Sequence, residues 1–186
     1  MSYAQPWDVA LPGMPTPPPA SDETDSGRGV VSDPSLAPND DDVERFRRKI
    51  VRSPTCWFWV GGISRPDGYG RFTFQRDNVQ RTVLAHRFAL LAEGYDLSHG
   101  AVAEHECNEP LCVRVGTGHV RVSTQSDNLR YAVQHGRHDG NRPASMSTYR
   151  AERSLRIRAA IKDGWNARAF RAAISAPDEN QLPLFP

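Results

Sequence analysis

The chain has 186 residues, enough for one ordinary domain and too few for two. Only 38 % of it is hydrophobic, and no apolar run approaches the ~20 residues that a membrane-spanning helix needs. The opening MSYAQPWDVALPGM, with no basic start and no apolar stretch, predicts no secretory signal; three cysteines, an odd number, argue against a disulfide framework and for a reducing, cytoplasmic setting.

The net charge of +1 is a cancellation. Residues 1–42 hold eight acids and one base, Arg28, for a net of −7, whereas residues 43–186 hold 22 bases and 14 acids, for a net of +8. Only Lys49 and Lys162 among the 23 basic residues are lysine. Arginine forks bind phosphate in a bidentate way and stay charged, so the basic body suits contact with nucleic acid. A GC-rich genome would also enrich arginine, but it would not separate the charge by segment.

Residues 1–38 carry eight of the 15 prolines, including Pro17-Pro18-Pro19, with no hydrophobic period, which predicts a disordered acidic arm. Asn39 then caps a predicted helix with Val43, Phe46 and Ile50 at i, i+3 and i+7, closed by Pro54. Residues 56–60, Cys-Trp-Phe-Trp-Val, read as an aromatic strand ending at Gly61-Gly62. A turn at Pro66-Asp67-Gly68 leads to a second strand over residues 70–74. Residues 81–84 suit a third strand running into a helix at 86–91, which Gly94 ends.

Residues 102–105 form a strand, a cysteine-containing loop follows, and residues 119–122 return as a strand. Thr124-Gln125-Ser126-Asp127 is a capping box opening a helix to about residue 134, so residues 102–134 form a ββα unit. Beyond Gly140 a helix over 149–162 ends at Gly164, and Asn166 caps a second over 167–174. Seven bases lie in this pair, which is either a DNA-contacting module of helix–turn–helix type or a solvated basic cap. The expected plan is α+β: an acidic arm (1–38), a body (39–140), a basic helical pair (141–176) and a flexible tail (177–186).

Two clusters carry chemistry. Cys107, Cys112 and His119 are closely spaced, and Cys56 is the only other cysteine. Cys3His is a tetrahedral zinc set, and recruiting Cys56 leaves no stray thiol. The competing explanation is three buried free cysteines beside an unrelated surface histidine. A zinc ion would clip the aromatic strand onto the loop of the ββα unit, a useful staple in so hydrophilic a body. The second cluster is His105, at the end of the first ββα strand, and Asn128, in the first turn of the following helix. An imidazole facing a hard oxygen ligand across a strand–helix gap is an arrangement that cleaves phosphodiesters: the neutral ring takes a proton from water, and Mg²⁺ stabilises the phosphate charge.

These motifs together, Cys56-Trp57-Phe58-Trp59, Gly68-Tyr69-Gly70-Arg71, His86-Arg87, Glu104-His105-x-Cys107-Asn108-x-x-x-Cys112, His119-Val120, Thr124 and Asn128, resemble an HNH (His-Me finger, ββα-metal) endonuclease. The nearest subgroup is the zinc-stapled one of phage-borne and homing nucleases, and the likeness covers about residues 53–135. It implies a small ββα-metal domain that nicks or cleaves double-stranded DNA. His105 would be its general base, Asn128 the ligand of a catalytic Mg²⁺ (Mn²⁺ as substitute), and Cys56, Cys107, Cys112 and His119 the ligands of a structural Zn²⁺. Arg71 and Arg87 are the candidates for stabilising the cleaved phosphate. A phage or mobile-element origin in a bacterial host follows from the same resemblance. The loop at 113–118 is two residues longer than the family's and lacks the asparagine that helps to position the catalytic imidazole. That departure supports the alternative, a catalytically degenerate zinc-stapled protein that binds DNA or a sliding clamp.

The tail Gln181-Leu182-Pro183-Leu184-Phe185 resembles the QLxLF motif by which bacterial replication and repair proteins dock on the polymerase sliding clamp. In that likeness Leu184 and Phe185 enter an apolar cleft and Gln181 makes polar contacts, with Leu182 completing the clamp-binding set. Docking would raise the effective concentration at DNA without altering the chemistry.

Overall fold

The computed structural model describes residues 36–98, 100–134 and 144–176. Nearly all of the acidic arm, and the tail with Gln181, Leu182, Leu184 and Phe185, lie outside these residues. The architecture is α+β, with three small antiparallel sheets and five helices among the described residues. None of those helices is long and apolar enough to cross a membrane.

Helix α1 (Asp40–Arg47) begins as its sequence dictates. The Asn39 side chain accepts from the Asp42 amide at 2.8 Å, and three aspartates occupy the first turn, where the helix dipole favours negative charge. The helix stops earlier than its apolar period suggests. Ile50 is not its third apolar residue: it opens strand β1 (Ile50–Arg52), which pairs with β2 (Trp57–Trp59) in the register Ile50↔Trp59. Pro54 therefore closes no helix. It lies in the Ser53–Cys56 turn, where Ser53 N–H donates to the Cys56 carbonyl at 2.9 Å and Ser53 Oγ accepts from the Cys56 amide. Pairing with the aromatic strand satisfies the backbone and packs Ile50 against the core, a gain that another helical turn would forgo.

Strand β2 decides how the rest packs, because successive side chains of a strand point to opposite faces. Trp59 joins Phe46, Phe72, Phe74 and Phe88 in one core cluster, stacking on Phe46 at 4.8 Å between ring centroids. Its indole N–H, which could not be left unpaired in the core, donates to the Gly62 carbonyl at 2.9 Å. Phe58 faces a second cluster with Leu111, Cys112, Ile157 and Ile161. Each of these large side chains is almost wholly buried, worth roughly 1.5–3 kcal/mol apiece relative to exposure.

Strand β3 (Gly62–Ile63) is too short for a sequence signal; it borders β4 (Gly70–Arg76), which pairs with β5 (Val79–Leu84). The hairpin turns at Asp77-Asn78, both with positive φ (49° and 60°), as a two-residue loop of this twist requires. Helix α2 (Ala85–Ala92) ends in a Schellman arrangement: Tyr95 N–H donates to Leu90 O and Gly94 N–H to Leu91 O, with Gly94 at φ 83°.

The ββα unit is present as read: β6 (Val102–His105), β7 (Val120–Ser123) and α3 (Gln125–Gln134), with His105 opposite Val120. Thr124 Oγ1 accepts from the Asp127 amide at 3.1 Å, so the predicted cap operates. Helices α4 (Ala144–Ile161) and α5 (Ala167–Ser175) pack onto the body through the second cluster, where Phe58 stacks on Trp165 and also meets Phe170.

Candidate functional site

The three cysteines converge with His119. Their sulfurs and a ring nitrogen of His119 all lie within 4.8 Å of one another. The His119 Nδ1 is 3.8 Å from both Cys56 Sγ and Cys112 Sγ. A tetrahedral zinc ion with bonds of about 2.3 Å to sulfur and about 2.0 Å to nitrogen places neighbouring donors about 3.5–3.8 Å apart. The group can hold a metal ion, and its soft, four-donor character suits zinc.

Local structure explains the convergence. Cys56 ends the Ser53 turn, Cys107 and Cys112 belong to the loop after β6, and His119 directly precedes β7. Backbone bonds zip that loop onto β2: Trp59 N–H donates to Leu111 O and Val113 N–H to Trp57 O, each at 2.8 Å. Crowding then perturbs the thiols. Hydrogen bonds from Cys112 and Cys56 hold Cys107 well below the usual thiol range. Its partners move the other way: Cys56 is pushed up to about 11, first by its bond to Cys107, and Cys112 is raised by the same neighbour. Crowded thiols that shift one another's ordinary titration in this way suit a divalent cation, which takes cysteine as thiolate.

Beside this group lies a cavity of about 480 Å³. Its lining brings together His105 from β6 and Asn128 from α3, the two residues singled out in the sequence. Glu104, Tyr69, His86 and Arg150 complete the wall that matters chemically. His105 Nε2 lies 2.9 Å from the Cys112 carbonyl oxygen. A carbonyl only accepts, so Nε2 carries the proton and Nδ1 keeps a lone pair. Burial draws the pKa of His105 below the ordinary histidine value, against the opposing pull of that carbonyl and of Cys107 and Glu109. Thus the Cys112 backbone carbonyl orients the imidazole.

His86 packs against His105 with ring centroids 4.3 Å apart, and Tyr69 stacks on His105 at 5.9 Å and 16°. His86 is only 4 % exposed; burial first, then the charges of His105, Arg87 and Arg71, hold its pKa well below the ordinary value. Glu104 is equally enclosed: Oε2 accepts from Arg121 at 3.2 Å, while Oε1 is buried with no hydrogen-bond partner among the described residues.

The two arginines chosen from sequence stand near enough to act on His86 but do not line the cavity. Arg71 is engaged by Asp67 at 2.9 Å, and Arg87 reaches the Ala101 carbonyl at 3.4 Å; neither lines the cavity. Arg150 does, from a helix 45 positions after His105 in the chain. Sequence reasoning assigned no site role to it or to Tyr69, because nothing local distinguishes one arginine among 21 or one tyrosine among five. The chain matches no protein-family model, no curated protein and no solved structure.

Proposed function

We propose that the protein is a divalent-metal-dependent DNA endonuclease of the zinc-stapled HNH kind. The observation that carries this reading is the shared cavity: His105 and Asn128, from β6 and α3 of one ββα unit, line it beside a Cys3His group. The lone pair on His105 Nδ1 accepts a proton from water as the water oxygen bonds to phosphorus. The P–O3′ bond breaks, the leaving oxygen takes up a proton, and the products are a 3′-hydroxyl and a 5′-phosphate. Held by Cys56, Cys107, Cys112 and His119, a zinc ion would be structural and would fix the loop whose Cys112 carbonyl holds His105.

The oxygen donors of the cavity fit a hard cation such as Mg²⁺, with Mn²⁺ as substitute: Asn128 offers an amide oxygen, and Glu104 a buried carboxylate oxygen without a hydrogen-bond partner among the described residues. Such a cation would stabilise negative charge on the phosphate and leaving oxygen. Double-stranded DNA is the proposed partner, and the basic charge of residues 43–186 supports it. The tail residues Gln181, Leu182, Leu184 and Phe185 extend the proposal to a bacterial sliding clamp. Pull-down on the clamp with and without residues 181–186 tests that part, and equal capture refutes it.

A second reading, a DNA- or clamp-binding protein with an inactive site, draws support from the placement of Arg71 and Arg87 outside the cavity. Nicking of supercoiled plasmid separates the two. The expected result is Mg²⁺-dependent nicking by the full chain that EDTA stops and His105→Ala loses. Wild type and His105→Ala equally inert, with DNA binding intact, would leave only the second reading.

A further inference from the structure

We infer that Arg150 of α4 is the phosphate-binding cation of the cavity that holds His105 and Asn128, an inference that rests on the nuclease reading above. Three independent observations converge on it.

The first is charge accounting. The other arginines around the site are already engaged: Arg71 by Asp67, Arg121 by Glu104 and Glu106, Arg130 by Asp127, and Arg153 by Glu109. Arg150 lines the cavity and makes no ion pair with any described residue. The Asp67 carboxylate is hydrogen-bonded to Ser64, the Tyr69 amide and Arg71; against the opposing cost of burial, those bonds and the charges of Arg71 and Arg150 lower its pKa. A half-buried guanidinium that makes no close ion pair among the described residues keeps its fork of donors for a bidentate bond to an anion.

Placement beside the reactive group is the second. The Arg150 guanidinium carbon lies 6.0 Å from the Tyr69 ring centroid, and Tyr69 stacks on His105. Tyr69 thus touches both the cation and the imidazole, and all three side chains line the one cavity.

The third is that the fold holds this part of α4 in place. Arg153 pairs at 2.9 Å with Glu109 of the cysteine loop, and Arg158 donates to the Gly61 carbonyl at 3.1 Å. Ile157 and Ile161 are fully buried beside Cys56 and Cys112. At Gly68 the chain has φ 74°, and a Cβ there would lie 2.8 Å from the Arg150 carbonyl oxygen, so glycine admits the helix backbone at this point. Helix α4 therefore contributes a wall residue to the cavity and is not an appendage to it.

The test uses the full chain and a short labelled DNA duplex without added magnesium. Arg150→Gln should weaken binding and lower the slope of log affinity against log salt by about one, the signature of one lost phosphate contact. Arg150→Lys should recover part of the affinity, and Arg48→Gln, an exposed residue paired with Glu44, should bind as wild type does. Equal affinity and equal salt slope for wild type and Arg150→Gln would overturn the inference, whether or not the protein cuts. Plasmid nicking then separates this inference from the nuclease reading. Loss of nicking in Arg150→Gln with partial rescue in Arg150→Lys supports the inference. An inert wild type ends the nuclease reading and leaves the binding comparison to decide on Arg150.

Discussion

The Nε2 of His105 donates to the carbonyl oxygen of Cys112 across 2.9 Å, so the residue that orients the cavity histidine is itself a member of the Cys3His group that can hold a metal. One loop serves both sites. Its cysteines face the metal position, and its backbone sets the tautomer of the imidazole. Disturbing the metal group should therefore disturb the cavity, even though the two use different atoms.

Metal removal gives the first prediction. Purified protein should carry one zinc per chain by elemental analysis, and Cys112→Ser should lose it. Because four donors tie β2 to the loop, the loss should cost more than roughly 3 kcal/mol, or about 6–12 °C of melting temperature for a chain of this size. Nicking should fall with it. Full zinc-free stability in Cys112→Ser would refute the staple.

The second concerns His105 itself. His105→Ala should reduce single-turnover nicking by about 10²–10⁴ while leaving duplex affinity near that of wild type, because a general base acts on the attacking water and not on DNA binding. An equal loss of binding and cutting would instead mark His105 as a structural residue.

Gly68 offers a test of how the helical pair is seated. Gly68→Ala must hold a Cβ at φ 74° and push it to 2.8 Å from the Arg150 carbonyl. The positive φ alone costs about 1–2 kcal/mol, so the denaturant midpoint should drop. Nicking should decline more than it does in a surface variant of equal stability, since Arg150 shifts with its backbone.

Phe58 holds the same helices from the other side, stacking on Trp165 and packing against Ile157 and Ile161. Phe58→Ala should cost about 3–5 kcal/mol, because its neighbours come from both the cysteine loop and the α4–α5 pair and cannot all close on the cavity left behind. Urea unfolding measures it. A cost below about 1 kcal/mol would show that the pair docks without this contact.

Acid sensitivity follows from His86. Its folded pKa lies well below the ordinary value near 6.5, so the unfolded chain takes up a proton first as pH falls. Stability should be flat above about pH 7 and decline below about pH 6.5, by at most roughly 1.4 kcal/mol per pH unit for this one group. His105, shifted in the same direction, adds to the slope. Unfolding midpoints in buffers spanning this range, with zinc content followed alongside, give the measurement; His86→Gln should flatten the curve.

The positions of the ββα unit, the Asn39, Thr124 and Asn166 caps and the four metal donors were all legible in the residues. Each depends on chemistry that acts over a few positions, or on ligand types so restricted that three cysteines leave little choice. His105 and Asn128 were legible for the same reason, since a strand followed by a capped helix fixes where their backbones stand. Ile50 was misplaced because helical periodicity cannot register a strand partner that arrives from residues 57–59. Arg150 was invisible for a stronger version of that reason. Seven bases of the helical pair look alike along the chain, and only the docking of Ile157 and Ile161 beside Phe58, with Gly68 allowing close approach, decides which one meets the cavity. Residue chemistry and short-range spacing chose the donors and the caps by themselves. Long-range packing, which buries apolar faces regardless of their distance in sequence, decided which base of the helical pair shares the cavity with His105.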